Sequence, residues 1–551
     1  MLSSYTYPKF AYRKPAELVS DVSTRYPVVI IGAGPVGLAA AIDCRQQGIP
    51  VVVLDDDDTV SVGSRGLCYA KRALEVLDRL GVGDSVAAKG VSWDVGRTFF
   101  GEKEVFNFNL RPEADHKRPG MVNLQQYYLE AYMVKRCEEL NVDLRWKNKV
   151  VSVAQDDDKA SLKVETPDGL YTIEADWLIV CDGARSPVRN MLGLDIDGKI
   201  FMDRFLIADV IMKADFPAER WFWFDPPFHK GQSVLLHREA DDVWRIDFQL
   251  GWDADPEQER KPENVIPRIR AMLGDDREFE LEWVSVYTFQ CRRMDSFTHS
   301  RVLFAGDAAH QVSPFGARGA NSGLQDTDNL IWKLKLVMDG KAPRRLLDSY
   351  SDERTFAADE NILNSTRSTD FITPKSQTSK VFRNAVLQLA QHHAFARKLV
   401  NSGRLSVPAH YSTSALNTQG DDVFDSVMAP GAPADDAPVM VNGQALWLID
   451  QLGQRFQLMV YAEKLASVDV SLLRALAEGP IPIEALVVSP EAGELPGLTV
   501  LQDAKGLVAR RYDARDGSAW LLRPDQHIAA RWRSVDPVRV RQALLRATCN
   551  D

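Results

Sequence analysis

Val28-Val29-Ile30-Ile31-Gly32-Ala33-Gly34-Pro35-Val36-Gly37 sets the first constraint on the fold. The β-branched run suits a strand buried in a parallel sheet. A helix of small residues, Leu38 to Gln47, follows, and a second apolar run, Val51 to Leu54, ends in Asp55. Strand, glycine turn, helix, strand and acid, in that order, form a dinucleotide-binding unit. Gly32 permits the tight turn. Gly34 lets a pyrophosphate approach backbone N–H groups at the helix N-terminus, with Pro35 and Val36 beside it. Gly37 allows close helix–strand packing, and Asp55 can accept ribose hydroxyls. Asp56 to Asp58 read as a solvated loop. These residues leave NAD and FAD both open.

Two later stretches choose between them. Trp177-Leu178-Ile179-Val180-Cys181-Asp182-Gly183-Ala184-Arg185-Ser186 is an apolar strand entering a polar turn. So is Arg301-Val302-Leu303-Phe304-Ala305-Gly306-Asp307-Ala308-Ala309-His310, which continues as Pro314-Phe315-Gly316-Ala317-Arg318-Gly319-Ala320-Asn321-Ser322-Gly323. With Ser64-Arg65-Gly66, Arg72-Ala73-Leu74-Glu75 and Gln126-Tyr127-Tyr128-Leu129-Glu130, they resemble motifs of the single-component (group A) FAD-dependent aromatic hydroxylases. The likeness covers about residues 28–350. It is nearest to the longer, phenol hydroxylase-like members, which carry a C-terminal thioredoxin-like domain.

That resemblance implies an α/β chain. A Rossmann-type FAD-binding domain would be interleaved with an antiparallel-sheet substrate domain and followed by a thioredoxin-like α/β domain. It implies FAD, NAD(P)H as co-substrate, and O₂. The reaction would hydroxylate a phenolic or related aromatic ring through a flavin C4a-hydroperoxide. Arg65, Gln126, Asp182, Gly306, Asp307, Pro314, Gly319, Ala320 and Asn321 join the glycine turn as expected FAD-binding residues. Asp307 would take a ribityl hydroxyl, and by itself could also cap a helix at Ala308-Ala309, the two roles being compatible. His310 reads as a packing residue behind the loop rather than a base. Arg318 departs from the family pattern, in which a neutral polar residue is usual.

Expected boundaries are an N-terminal arm 1–27, FAD-binding parts 28–199 and 294–405, a substrate sheet 200–293 and a C-terminal domain 406–551. The arm either packs on the body or is disordered. Strands are expected over Phe205–Met212, Ser233–Arg238, Val243–Leu250 and Leu281–Cys291. In the third, Trp244, Ile246, Phe248 and Leu250 alternate with Arg245, Asp247 and Gln249, and the polar face is expected in solvent. Trp221-Phe222-Trp223-Phe224-Asp225-Pro226 reads as an aromatic strand or lid. Tyr287 and His237 are the candidate catalytic residues, with Trp223, Arg245, Gln249 and Pro314 as substrate contacts. Residues 320–405 look helical, with Leu330, Ile331, Leu334 and Leu336 on a buried face. Further strands are expected at Leu446–Ile449, Phe456–Val460 and Leu498–Val500, and a last helix at Pro537–Ala547 capped by Asp536.

Composition removes other classes. The 551 residues carry a net charge of −11 and no Lys/Arg run longer than two, which argues against nucleic-acid binding. No apolar stretch approaches membrane length, and the first 27 residues lack a signal-peptide core. Six scattered cysteines without a CxxC give neither a disulfide framework nor a thiolate metal site, and suit a reducing cytoplasm. Cys549 alone lies in the C-terminal region, so that domain has no dithiol chemistry and would serve structure or a homodimer contact. A flavin halogenase, a flavin oxidase and a catalytically silent FAD scaffold are the alternatives.

Overall fold

A computed structural model describes residues 5–20, 23–63, 65–110, 113–274, 277–400, 405 and 407–551. Strand Thr24–Ile31 lies between two parallel neighbours, Val51–Leu54 and Gly169–Val180, and Val302–Phe304 extends the same sheet. All four end on one side, so every turn beyond a strand end points into one crevice. The glycine turn after Ile31 leads into helix Pro35–Gln46, with proline in its first turn. This helix packs against Gly319–Met338 on one face of the sheet.

The second sheet has eight strands. It runs from His310–Gln311 through Glu280–Arg293, Asp197–Ile211, Val243–Leu250, Ser233–Arg238 and Arg220–Phe224 to Val95–Phe100 and Lys103–Asn109. It is therefore not confined to residues 200–293. A hairpin from the first FAD-binding part closes one edge, because Arg220–Phe224 leaves its outer side free and pairs with Val95–Phe100. Its outer face buries Leu206, Trp244, Ile246 and Phe248 against Val265 and Ile269 of helix Pro262–Leu273. The other face roofs the crevice.

Beyond Val407 the chain forms a seven-stranded mixed sheet. Phe456–Tyr461, Ile483–Ser489 and Thr499–Gln502 are parallel, and Ala519–Leu522 with Ile528–Trp532 run antiparallel beside them. The strand expected at Leu446–Ile449 ends at Trp447, where a 3₁₀ turn takes over. Helix Pro537–Ala547 begins at Asp536, whose carboxylate accepts the N–H groups of Val538 and Arg539. The arm packs on the body: Tyr5 stacks on Tyr127 at 4.0 Å and Phe10 on Trp146 at 4.4 Å. No helix among the described residues is long and apolar enough to cross a membrane.

A buried ionic junction joins the C-terminal sheet to the helices of the FAD-binding part. Arg523 donates to both oxygens of Glu353, at 2.6 and 2.9 Å, and Lys333 donates to the same carboxylate at 2.8 Å. Arg72 belongs here too, donating to Gln526 Oε1 and Asp525 O, each at 2.7 Å. Although its segment is one of those that resemble the hydroxylase motifs, Arg72 faces away from the crevice, because its helix buries that side against the C-terminal unit. Arg523→Met would leave the buried Glu353 short of its main partner. The expected loss is about 3–5 kcal/mol, read as a lower urea midpoint; an unchanged midpoint would show that the junction is energetically idle.

Candidate active site

The crevice is built from turns that only glycine allows. Gly32 has φ +102°, and a Cβ there would sit 2.4 Å from Cys181 O. A Cβ on Gly37 would lie 1.9 Å from Gly32 O, so helix and strand could not close. At Gly34 nothing lies within 4 Å of a Cβ, and that open space belongs to the crevice. Asp55 Oδ2 accepts Ala33 N–H at 2.5 Å and Oδ1 accepts Asp57 N–H at 2.9 Å. The acid thus braces the glycine turn from behind, and burial pushes its carboxyl up.

The second turn is held by Asp326, whose Oδ2 accepts Gly306 N–H at 2.8 Å and bonds His310 Nε2 at 2.7 Å. His310 therefore lies behind the loop, stacked on Phe297. Asp307 caps no helix. It opens into the crevice, where it is exposed, and the protein around it raises its carboxyl by partial desolvation. Its carboxylate has no hydrogen-bond partner among the described residues. Asp182 Oδ2 accepts Val188 N–H at 3.1 Å, while Oδ1 is buried without a partner. Gln126 Oε1 accepts Gly66 N–H at 2.7 Å, and Asn321 ties the loop to Ala70 N–H and Cys68 O, both at 2.8 Å.

These turns bound a cavity of about 540 Å³ roofed by the second sheet. Gly34, Pro35, Val36, Arg65, Gln126, Asp307, Pro314, Gly319, Ala320 and Asn321 line its floor; His237, Arg245 and Tyr287 line its roof. Gly32, Gly37, Asp55, Asp182 and Gly306 stand behind the floor and shape it. Ser64 lies outside the described residues. The floor suits a flavin dinucleotide: a glycine cradle, a helix N-terminus for the pyrophosphate, and Asp307 with an unused acceptor for a hydroxyl.

Strand register orders the roof into rows about 7 Å apart. Arg220, His237, Arg245 and Asp209 form one row, Phe222, Leu235, Asp247 and Ile207 the next, and Phe224, Ser233, Gln249, Phe205 and Tyr287 a third. The polar side of Val243–Leu250 is therefore cavity roof, not a solvated face, and Arg245, Asp247 and Gln249 are all buried. Two expected substrate contacts do not reach the cavity. Trp223 points to the outer face and stacks on Phe99 at 5.2 Å, since it alternates with the inward Phe222 and Phe224. Gln249 spends its side-chain oxygen on Ser233 N–H at 3.0 Å.

Arg245 lines the cavity but is held by Asp209 through two bonds of 2.8 and 2.7 Å. Asp247 is different: its Oδ1 is buried without a hydrogen bond, and burial, opposed by Arg245, pushes its carboxyl up to about 7. Burial, then Arg220 and Arg245, hold His237 well below the usual imidazole range, so it is neutral. Burial and Asp247 push the Tyr287 hydroxyl up, so it keeps its proton. Asp247 and Arg220 were not among the expected site residues. The signal for Asp247 was present in the Arg245-Asp247-Gln249 alternation; Arg220 was hidden beside a conspicuous aromatic run.

Comparisons with known proteins agree with this geometry. Residues 25–365 match the family model described as FAD binding domain. The 3-(3-hydroxy-phenyl)propionate/3-hydroxycinnamic acid hydroxylase of Escherichia coli (strain K12) is 27% identical over 515 residues, 91% of each chain. Among solved structures, the flavin-dependent monooxygenase PieE, in complex with FAD and substrate, superposes with a TM-score of 0.80 at 23% identity. That match covers 96% of this chain and 99% of PieE. The p-nitrophenol 4-monooxygenase PnpA from Pseudomonas putida DLL-E4 gives 0.62 at 26% identity, over 69% of this chain and 98% of its own.

The raised Asp247 carboxyl predicts a pH-dependent site: below about pH 7 it is protonated, and above that it is a stronger hydrogen-bond acceptor. Affinity for phenol, followed by the flavin absorbance change, is expected to rise through that step. Asp247→Asn should flatten the step, and a step of unchanged height in the variant would remove Asp247 from the role.

Proposed function

The chain belongs to the FAD binding domain family, and from that premise we propose that it is an FAD-dependent monooxygenase hydroxylating a phenolic ring with NAD(P)H and O₂. The observation that carries this reading is the cavity in which a dinucleotide floor faces a sheet whose inner side mixes apolar side chains with specific polar groups. Gly34 to Val36 and the helix they begin would hold the pyrophosphate, Asp307 the ribityl chain, and the Pro314–Asn321 loop the ring system, with Asp55 bracing the glycine turn from behind. When bound, the flavin supplies reducing equivalents and activates O₂.

The chain's own residues supply position, dryness and proton control. Ile207, Leu235, Phe289 and Phe315 line the reacting space and keep water from it. Ionising a phenol of ordinary pKa at pH 7 costs about 4 kcal/mol. Asp247, which lines the cavity, accepts the substrate O–H, and a carboxylate raised toward neutrality is a better base than an ordinary one. Tyr287, still protonated, donates a hydrogen bond to the substrate oxygen. His237, neutral, lies at the Arg220 side of the roof, three strands from Tyr287. The nicotinamide reductant visits without a second glycine-turn domain of its own. Six unpaired cysteines favour the cytoplasm.

Purified protein loaded with FAD should be bleached by NADH or NADPH, faster with a phenol present. Under ¹⁸O₂ the product should gain one labelled oxygen; hydrogen peroxide with unlabelled product would mark an oxidase and overturn the reading. Tyr287→Phe should cut single-turnover hydroxylation by about tenfold, the value of one strong hydrogen bond, with FAD still bound. An unchanged rate would exclude Tyr287.

A further inference from the structure

Helix Gln377–Ala390 is apolar on two sides, and only one of them is covered. Val386, Leu387 and Ala390 turn inward, where Leu387 and Ala390 join the aromatic cluster of Phe205, Phe289 and Phe315. Val381, Phe382, Ala385 and Leu389 recur at helical spacing on the opposite side, where Val381 is 59% and Phe382 58% exposed. The shorter helix Ala394–Val400 packs against it and adds Phe395 and Leu399, one turn apart and 61% and 53% exposed. So many large apolar side chains in water on one helix pair mark an interaction surface.

Charge narrows the choice of partner. The chain is −11 overall, yet it has no Asp or Glu between Asp370 and Asp421. Lys380, Arg397 and Lys398 belong to the two helices and have no carboxylate partner among the described residues. Arg397 is fixed at the end of the first helix, where it donates to Ala390 O at 2.8 Å and Gln391 O at 3.0 Å. Of the acids beside this segment, Asp370 is paired with Lys199 and Asp203 with Lys375. A second copy of the chain is a poor match, because a two-fold contact would set a cationic surface against itself. An anionic lipid surface answers both features: its headgroups take the cations and its acyl boundary takes the apolar side chains. Helices of 14 and 7 residues are too short to span a bilayer, so the contact is interfacial.

We propose that the helix pair Gln377–Ala390 and Ala394–Val400 docks the protein on an anionic lipid surface, with Phe382 and Phe395 in the acyl boundary and Lys380, Arg397 and Lys398 on the headgroups. The stripe faces away from the cavity, and its docking is independent of the hydroxylase reading.

The test sediments the FAD-loaded full chain with sucrose-loaded vesicles, either of phosphatidylcholine alone or of phosphatidylcholine and phosphatidylglycerol in a two-to-one ratio. At low salt, binding to the anionic vesicles should be about tenfold or more tighter than to phosphatidylcholine, and should weaken as salt is raised. Phe382→Ser combined with Phe395→Ser should weaken binding to the anionic vesicles by about tenfold or more, as the loss of two buried aromatic side chains implies. Lys380→Glu combined with Lys398→Glu should remove the preference for anionic lipid. All four side chains lie outside the cavity, so both double variants should keep their FAD. Should the serine variant fail to fold, Phe382→Ala with Phe395→Ala takes its place. No binding to the anionic vesicles, equal binding to both kinds, or unchanged binding in the phenylalanine variant overturns the proposal. A dimer seen by light scattering that the phenylalanine variant dissociates would give the stripe to a second copy, and overturns it too.

Discussion

One carboxylate out of reach of water, Asp326, holds the crevice in shape. It accepts the N–H of Gly306 and bonds His310 through one oxygen, and takes Arg354 Nε at 2.6 Å through the other. Burial alone would raise this acid, but His310 and Arg354 hold it below the usual carboxylate range, so it stays ionised. An ionised acceptor grips a backbone N–H about twice as firmly as a neutral one. Gly306 needs that grip. It sits in the left-handed region at φ +63°, wedged against Val36 of the first glycine turn. Fixing Gly306 fixes Asp307 beside it and starts the loop that runs to Asn321. The two halves of the dinucleotide floor, far apart in sequence, are thereby set against each other.

The roof makes the opposite compromise. A sheet face buried against a cavity could be wholly apolar and more stable for it, since buried ion pairs seldom outperform well-packed hydrocarbon. Here the outer face is of that kind, with Trp244, Ile246 and Phe248 packed under a helix. The inner face of the same strand carries Arg245, Asp247 and Gln249 instead. Arg245 and Asp209 cancel each other, and Gln249 is absorbed by a backbone N–H. What remains unspent, Asp247, marks where binding a ligand would recover the cost of burial.

The floor was legible in the sequence because glycine turns report backbone geometry directly. Gly32, Gly34 and Gly37 each correspond to a contact that a side chain would break or a space it would fill. The Ser233–Arg238 and Val243–Leu250 strands, and the Asp536 cap, were equally local signals. The roof was legible only as a pattern. Alternation separated Trp244 from Arg245 correctly but could not say which side met water, because that depends on what the other sheet places opposite. The Val95–Asn109 hairpin was missed for a related reason: its partner strand lies more than a hundred residues away. Trp223 misled because aromatic residues suit an outer packing face as well as a pocket.

The C-terminal unit, lacking paired cysteines, is tied to the crevice through the same arginine that steadies Asp326. Arg354 Nη1 donates to Tyr411 Oη at 2.6 Å and Nη2 to Ser322, in the helix that follows the flavin-side loop. Its neighbour in sequence, Glu353, is the carboxylate that Arg523 and Lys333 clasp. Consecutive residues of one helix thus face two tasks, one inward to the glycine turn and one outward to the added sheet. Buried charges of this sort are costly to separate, since removing either partner strands the other in a medium that cannot solvate it. The added domain therefore acts as a rigid backing for Asp326 and Gly306. That gives the added sheet a physical reason to be attached to a flavin fold.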